Sequence, residues 1–273
     1  MTRVMAGAGA EMRIALRNRW VTIAVVMMAL FALVLSAAGS APTGQIGVDK
    51  LSVTVASLTS LAVYLVPLLA LLMSFDAVAG EIERGTLPLV LTYPVSRIEI
   101  LAGKFLAHLA VLGLAFAAGY GVAAVAAYAF DPDASEGLPA LARLCVTSLL
   151  LGAAFLGAGY AVSALARRPG SAAGIAIGLW LVLVVLYDLG LLAAVVADGG
   201  GAFTTRVFPW LLLANPADAF RLYNLAASEA AGVAAGVAGA AETIPPAWAL
   251  SSLVAWAAGG FSLAILAFRK VVP

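Results

Sequence analysis

With 64% hydrophobic and 11% charged residues and a mean hydropathy of +1.07, this 273-residue chain is too apolar for a soluble domain and reads as a membrane protein. Its near-neutral balance of 15 Lys and Arg against 14 Asp and Glu says nothing about nucleic acid, and no basic patch interleaved with aromatics points to one, so no nucleic-acid partner is expected. A single cysteine, Cys145, and a single histidine, His108, exclude an internal disulfide, a multi-thiolate site and a poly-histidine metal site within one chain.

Residues 1–19 interleave Glu11, Arg13, Arg17 and Arg19 with Met12, Ile14, Ala15 and Leu16. This predicts an amphipathic helix on the cytoplasmic membrane surface, in contact with lipid and anchored by Trp20. Residues 21–38 are uncharged and long enough to span a bilayer. A signal peptide competes, but the apolar run and its lead-in are both long for one, and a retained first span is expected. The second span is expected over 51–75, with Pro67 inside it.

The stretch 74–104 is the longest charged interruption between two apolar runs. Gly80 and Gly85 are expected to break the helix before it. Thr86 is expected to cap a short helix that accepts Pro88 in its first turn and puts Leu87, Val90 and Leu91 on one face. Tyr93-Pro94 should end it, and Ser96 with Glu99 should form a capping box at the start of the next span. Gly80-Glu81-Ile82-Glu83-Arg84-Gly85-Thr86 has the glycine spacing of a phosphate loop but no lysine, and its acids would repel phosphate. The chain therefore shows no nucleotide site of its own.

The third span is expected over 98–130, followed by an acidic loop with Asp131, Asp133 and Glu136. The fourth covers 141–166, a basic turn Arg167-Arg168-Pro169-Gly170 follows, and the fifth covers 171–197. Residues 198–246 are expected to be a long outer loop. Within it, Arg206-Val207-Phe208-Pro209-Trp210 precedes a capped amphipathic helix beginning at Asn215-Pro216, which either lies on the outer leaflet or docks a partner. The sixth span covers 248–268; residues 226–241, with Glu229, are too weakly apolar to add a seventh.

With the N-terminus inside, six spans put Arg3, Arg13, Arg17, Arg19, Arg84, Arg97, Lys104, Arg167, Arg168, Arg269 and Lys270 inside, against Lys50, Arg143, Arg206 and Arg221 outside. This is the asymmetry that the positive-inside rule expects. The fold class is thus an all-α polytopic membrane domain over 1–273. Small residues at fourfold spacing, Gly113, Ala117 and Gly121, and Gly170, Gly174 and Gly178, are expected to pack helices within the chain rather than between chains. No internal repeat suggests inverted halves.

Asp188 is the one acid inside a span and is either paired or functional. His108 is expected at headgroup level, and Cys145 as a small buried apolar residue. Met27, Met28 and Met73 could offer thioether sulfur to Cu(I), but without a periodic arrangement they read as packing. No nucleophile, base or metal constellation is visible, so the chain is not expected to be an enzyme.

The order of Gly80-Glu81-Ile82-Glu83, Arg84-Gly85-Thr86-Leu87, Tyr93-Pro94-Val95-Ser96-Arg97 and Gly103-Lys104 resembles the cytosolic coupling region of ABC-2 type permeases. Arg17-Asn18-Arg19-Trp20, Gly44-Gln45-Ile46-Gly47, Ser57-Leu58-Thr59-Ser60-Leu61, Leu186-Tyr187-Asp188-Leu189 and Asn215-Pro216-Ala217-Asp218-Ala219-Phe220-Arg221 extend the resemblance over nearly the whole chain. They narrow it to permeases of the ABC complexes that mature nitrous oxide reductase. The resemblance implies a type V exporter-like homodimer in the bacterial inner membrane, with both termini cytoplasmic.

It further implies that each copy carries a cytoplasmic ATPase subunit at 76–97, through Asp76, Glu81, Glu83, Arg84, Gly85, Thr86, Pro94, Ser96 and Arg97. ATP and Mg would be bound by that subunit and no cofactor by this chain. A periplasmic β-helical partner would sit on the outer loop near Trp210, Asn215, Asp218 and Arg221, and the complex would support copper-site assembly. Three modes of action remain open: a mechanical relay to the outer partner; export of a sulfur or copper species or another substrate past Asp188, Met27, Met28 and Met73; or passive anchoring of the outer partner.

Overall fold

The computed structural model describes residues 50–130, 137–225 and 244–271, together with Gly9, Met12, Val26, Leu30 and Val34. The expected surface helix 1–19, the first span 21–38 with Met27 and Met28, the acidic loop at 131–136 and the stretch 226–241 lie outside the described residues or almost wholly so. The described residues are helical, with no strand among them.

The helices are α1 (Lys50–Ser74), α2 (Ala79–Glu83), α3 (Leu87–Thr92), α4 (Arg97–Phe130), α5 (Leu138–Ala166), α6 (Pro169–Trp180), α7 (Tyr187–Asp198), α8 (Phe208–Ala214), α9 (Pro216–Leu225) and α10 (Pro246–Arg269). Leu181–Leu186, between α6 and α7, is a π-helical segment, so Pro169–Asp198 is one continuous apolar rod. Among the described residues, five helices are long and apolar enough to cross a membrane: Thr54–Glu83, Arg97–Ala129, Leu138–Ala166, Pro169–Asp198 and Pro246–Arg269.

Helix α5 is the pillar. Its Leu144, Leu151, Phe155 and Leu156 are buried against Leu58, Val63, Val66 and Leu71 of α1 and against Val111, Leu112, Phe116 and Tyr120 of α4. Its buried polar groups reach three other elements, α9, α4 and α2. Thr147 exchanges hydrogen bonds with Asn224 of α9, and Ser148 pairs with Tyr120 of α4 at 2.9 Å. Tyr160 meets His108 Nδ1 at 2.7 Å, and the Ser163 hydroxyl accepts from the backbone N–H of Val78 and Ala79 at the start of α2. Unpaired polar groups are costly in an apolar interior, so these rungs fix how α5 sits against its neighbours.

Helices α5 and α10 approach backbone to backbone at Gly157 and Gly260. A Cβ on Gly157 would strike the Gly260 backbone, and one on Gly260 would lie 2.7 Å from the Ala154 carbonyl oxygen. The glycines singled out by fourfold spacing do not act this way. Gly121, Gly170, Gly174 and Gly178 have nothing within 4 Å of a would-be Cβ, and Gly113 meets only Leu149 at 3.5 Å. Spacing alone does not reveal which way a stripe faces; the Gly170 stripe lies on a rod that is largely uncovered by the rest of the chain.

Helix α9 falls in the expected outer loop, yet it is packed into the bundle. Ala217, Ala219, Phe220, Leu222 and Leu225 are buried, as are Asp218 and Asn224. Asn215 caps it by accepting from the N–H of Ala217 at 2.8 Å, as its sequence predicts.

Candidate coupling segment and outer polar cluster

The 76–97 segment is built as a hinged pair of short helices. Helix α2 closes in a Schellman motif, in which Gly85 at φ +67° lets its N–H reach Ile82 O and the Thr86 N–H reach Glu81 O. Thr86 is thereby used to end α2. It is in the right-handed helical region with no side-chain cap, which corrects the expectation that it caps α3. Gly80 is not a break either; it is buried inside α2 because a side chain there would strike the Asp76 carboxylate and the Arg84 guanidinium. Those two groups pair across it at 3.3 Å, both well exposed, so the pair contributes little.

Helix α3 is amphipathic as expected. Leu87 is fully buried, with Leu91 beside it, among Val78, Leu101, Tyr160, Ala264 and Phe268. Pro88 lies in its first turn, and the chain turns extended at Tyr93. The capping box also forms: the Ser96 N–H donates to Glu99 Oε2 at 2.8 Å and the Glu99 N–H donates to Ser96 Oγ at 3.2 Å.

Glu81 and Arg97 point inward rather than toward a partner. Glu81 Oε1 accepts from Lys104 Nζ at 2.6 Å in a nearly buried ion pair, while Glu81 Oε2 is buried without a hydrogen bond. Arg97 Nη1 donates to the carbonyl oxygens of Phe268, Arg269 and Val271 at 3.0, 3.3 and 2.6 Å. Glu83, Arg84, Gly85, Thr86, Pro94 and Ser96 are exposed. Leu89 and Tyr93 stand with them, 64% and 67% exposed and one turn apart on the outer face of α3. Sequence reasoning placed Tyr93 only as a stop signal and passed over Leu89. The signal available was an apolar pair at i, i+4 on the face that amphipathicity assigns to water.

At the opposite end of the bundle, Asp188 of α7 and Arg221 of α9 form a two-pronged pair at 2.9 and 3.0 Å. Asp218 lies 3.5 Å from the same guanidinium. Burial pushes the Asp218 carboxyl up to about 7; Arg221 pulls against this and the Asp188 charge adds to it. Burial prevails because Arg221 is already engaged by both oxygens of Asp188. Asn215 Nδ2 donates to Leu183 O, a carbonyl of the π-helical segment, at 2.6 Å. Tyr187 donates its hydroxyl to Leu211 O at 2.8 Å.

Asn215, Asp218 and Arg221 are therefore interior groups that tie α9 to the π-helical rod. Of the residues assigned to an outer partner, Trp210 is the exposed one, 52% open and edge-on to Trp248 at 5.7 Å. Met73 is packed in the main core. Cys145 is partly buried, and among the described residues no three His, Cys, Asp or Glu side chains are grouped to hold a metal ion.

Described residues that are helical and include five apolar spans, with a charged segment that presents an apolar pair outward, have the features of a transporter's membrane subunit. Residues 5–271 match the ABC-2 family transporter protein family, and the chain belongs to it. The chain is 45% identical over 264 residues to the probable ABC transporter permease protein NosY of Pseudomonas aeruginosa, covering 95% of each. It is 41% identical over 274 residues to the protein of the same name from Stutzerimonas stutzeri, covering 99% of each. It is a multi-pass ABC transporter permease, a membrane subunit that is not itself catalytic and that works with a partner ATPase subunit.

Proposed function

We propose that the chain relays the stroke of a cytoplasmic ATPase across the inner membrane to a periplasmic β-helical partner during copper-site maturation of nitrous oxide reductase. The likeness to the two NosY permeases over nearly the full chain supports the pathway. Two copies, each with six spans once residues 21–38 are counted and with both termini cytoplasmic, would hold two ATPase subunits of the NosF type and one outer partner of the NosD type. ATP and Mg belong to the ATPase.

The observation that carries the relay is how the polar groups are used. Asp188, the expected pathway acid, is paired by Arg221, and Lys104 is paired by Glu81. Groups committed to each other tie helices together rather than line a path for a charged species. The ATPase face is the outer side of α3, where Leu89 and Tyr93 supply the apolar anchors and Glu83 and Arg84 the charged rim. Trp210 is the residue left to meet the outer partner or the outer lipid surface.

A ligand shifts a two-state equilibrium only by its differential affinity for the states, so ATP must favour the ATPase geometry that displaces α3. Replacing both Leu89 and Tyr93 by alanine should abolish co-purification of the ATPase while the permease remains folded. Retained assembly with full ATP turnover would overturn the docking face.

A further inference from the structure

Arg97 follows the capping-box serine and opens α4, four residues after Tyr93 ends α3. Its guanidinium does not face the open side of the segment. It lies at the last turn of α10, with one nitrogen shared among the carbonyls of Phe268, Arg269 and Val271 and the cation 5.9 Å from the Phe268 ring centre. The last carbonyls of a helix have no intrahelical donor and carry the negative end of its dipole, so a cation there is both a cap and a counter-charge. The remaining contacts between the segment and α10 are apolar, through Leu87, Ala264, Ala267 and Phe268. Such contacts are non-directional and can slide, whereas hydrogen bonds from Arg97 Nη1 to three carbonyls fix its place on the helix end.

Helix α10 is a rod about 36 Å long at 1.5 Å per residue over its 24 residues. Near its far end Ser252 donates to Leu213 O, next to the Asn215 that holds the π-helical segment. We infer that Arg97 is a positioning residue that clamps α10 to the coupling segment, so that α10 carries the stroke to α8 and α9 as a second route beside the directly connected α4. This rests on the relay reading above.

The test uses the full complex in lipid nanodiscs with Cys145→Ala and pairs of spin labels. One pair, Ser251→Cys with Leu192→Cys, reports α10; the other, Tyr128→Cys with Leu192→Cys, reports α4. With Arg97 present, both distances should change when the ATPase is trapped with nucleotide. In Arg97→Gln the Ser251 pair should lose most of its change and the Tyr128 pair should keep it. Arg97→Lys, which keeps the charge on a shorter side chain, should fall between. An undiminished Ser251 change in Arg97→Gln would overturn the clamp and leave the relay standing. Equal loss at both pairs would make Arg97 a general docking or folding residue and also overturn it. If neither pair responds in the unsubstituted chain, the relay fails and the clamp with it.

Discussion

Asp188 and Arg221 hold each other through two short hydrogen bonds, with Arg221 mostly buried. Removing one member strands the other in an apolar setting, and Arg221→Ala should destabilise the protein by about 3 kcal/mol, the usual cost of breaking a buried pair. The charge-reversed double substitution Asp188→Arg with Arg221→Asp should recover part of that in thermal unfolding in detergent. Lys104→Met should cost a similar amount, since Glu81 already has one buried oxygen unsatisfied, and adding Glu81→Gln should relieve it. Asp218 introduces a pH dependence. Its carboxyl is raised to about 7 in the folded chain, so as pH climbs from about 4 the unfolded chain sheds its proton first. Stability from this group therefore falls between about pH 4 and about pH 7 and levels off above. Asp218→Asn should flatten that slope, as seen by comparing melting temperatures at about pH 5 and about pH 8. That Asp188 is either paired or functional was legible in the sequence, because it is the one acid inside a span. That its partner is Arg221, 33 residues on, was not, because the pairing depends on α9 folding back into the bundle.

At the scale of elements, local signals carried well. The Ser96–Glu99 box, the Asn215 cap, the Pro88 first turn and the bounds of five apolar helices follow from neighbours in sequence, and the structure has them. What failed were features that depend on which face a residue turns. The Gly170, Gly174 and Gly178 stripe looks like a packing motif, but the packing site is Gly157 on Gly260, whose own fourfold series, Ala153, Gly157 and Ala161 on one helix and Gly260 and Ala264 on the other, is no different in kind from the stripe that stays uncovered. Gly157→Val should separate α5 from α10 and destabilise by about 1–3 kcal/mol through overpacking. Gly174→Ala, in open space, should leave a single copy unharmed or slightly more stable by helix propensity. If Gly174→Ala weakens the assembled complex alone, by size-exclusion chromatography, that face meets a second copy. The same limit on facing hid the burial of α9. Its composition is that of a surface helix, and only the helices packed around it, α1, α5, α8 and α10, show otherwise.

At the scale of the molecule, two groups of ties emerge. At one end the 76–97 segment is fixed to α4 through Lys104, to α5 through Ser163 and to α10 through Arg97. At the other, α9 is fixed to the π-helical rod through Arg221 and Asn215 and to α5 through Asn224. Rigid helices join the two ends, which suits a relay of motion more than passage of a solute. A π-helical segment between α6 and α7 gives that second end a natural place to yield. The measurement that bears most directly on this account is made in sealed vesicles holding the permease, its ATPase and the outer partner. ATP-dependent movement of copper and of sulfur species is followed alongside a fluorescence distance between the outer partner and the bilayer. The relay predicts ATP turnover and a nucleotide-dependent distance change with neither species crossing. Movement of either species in step with ATP turnover would contradict it.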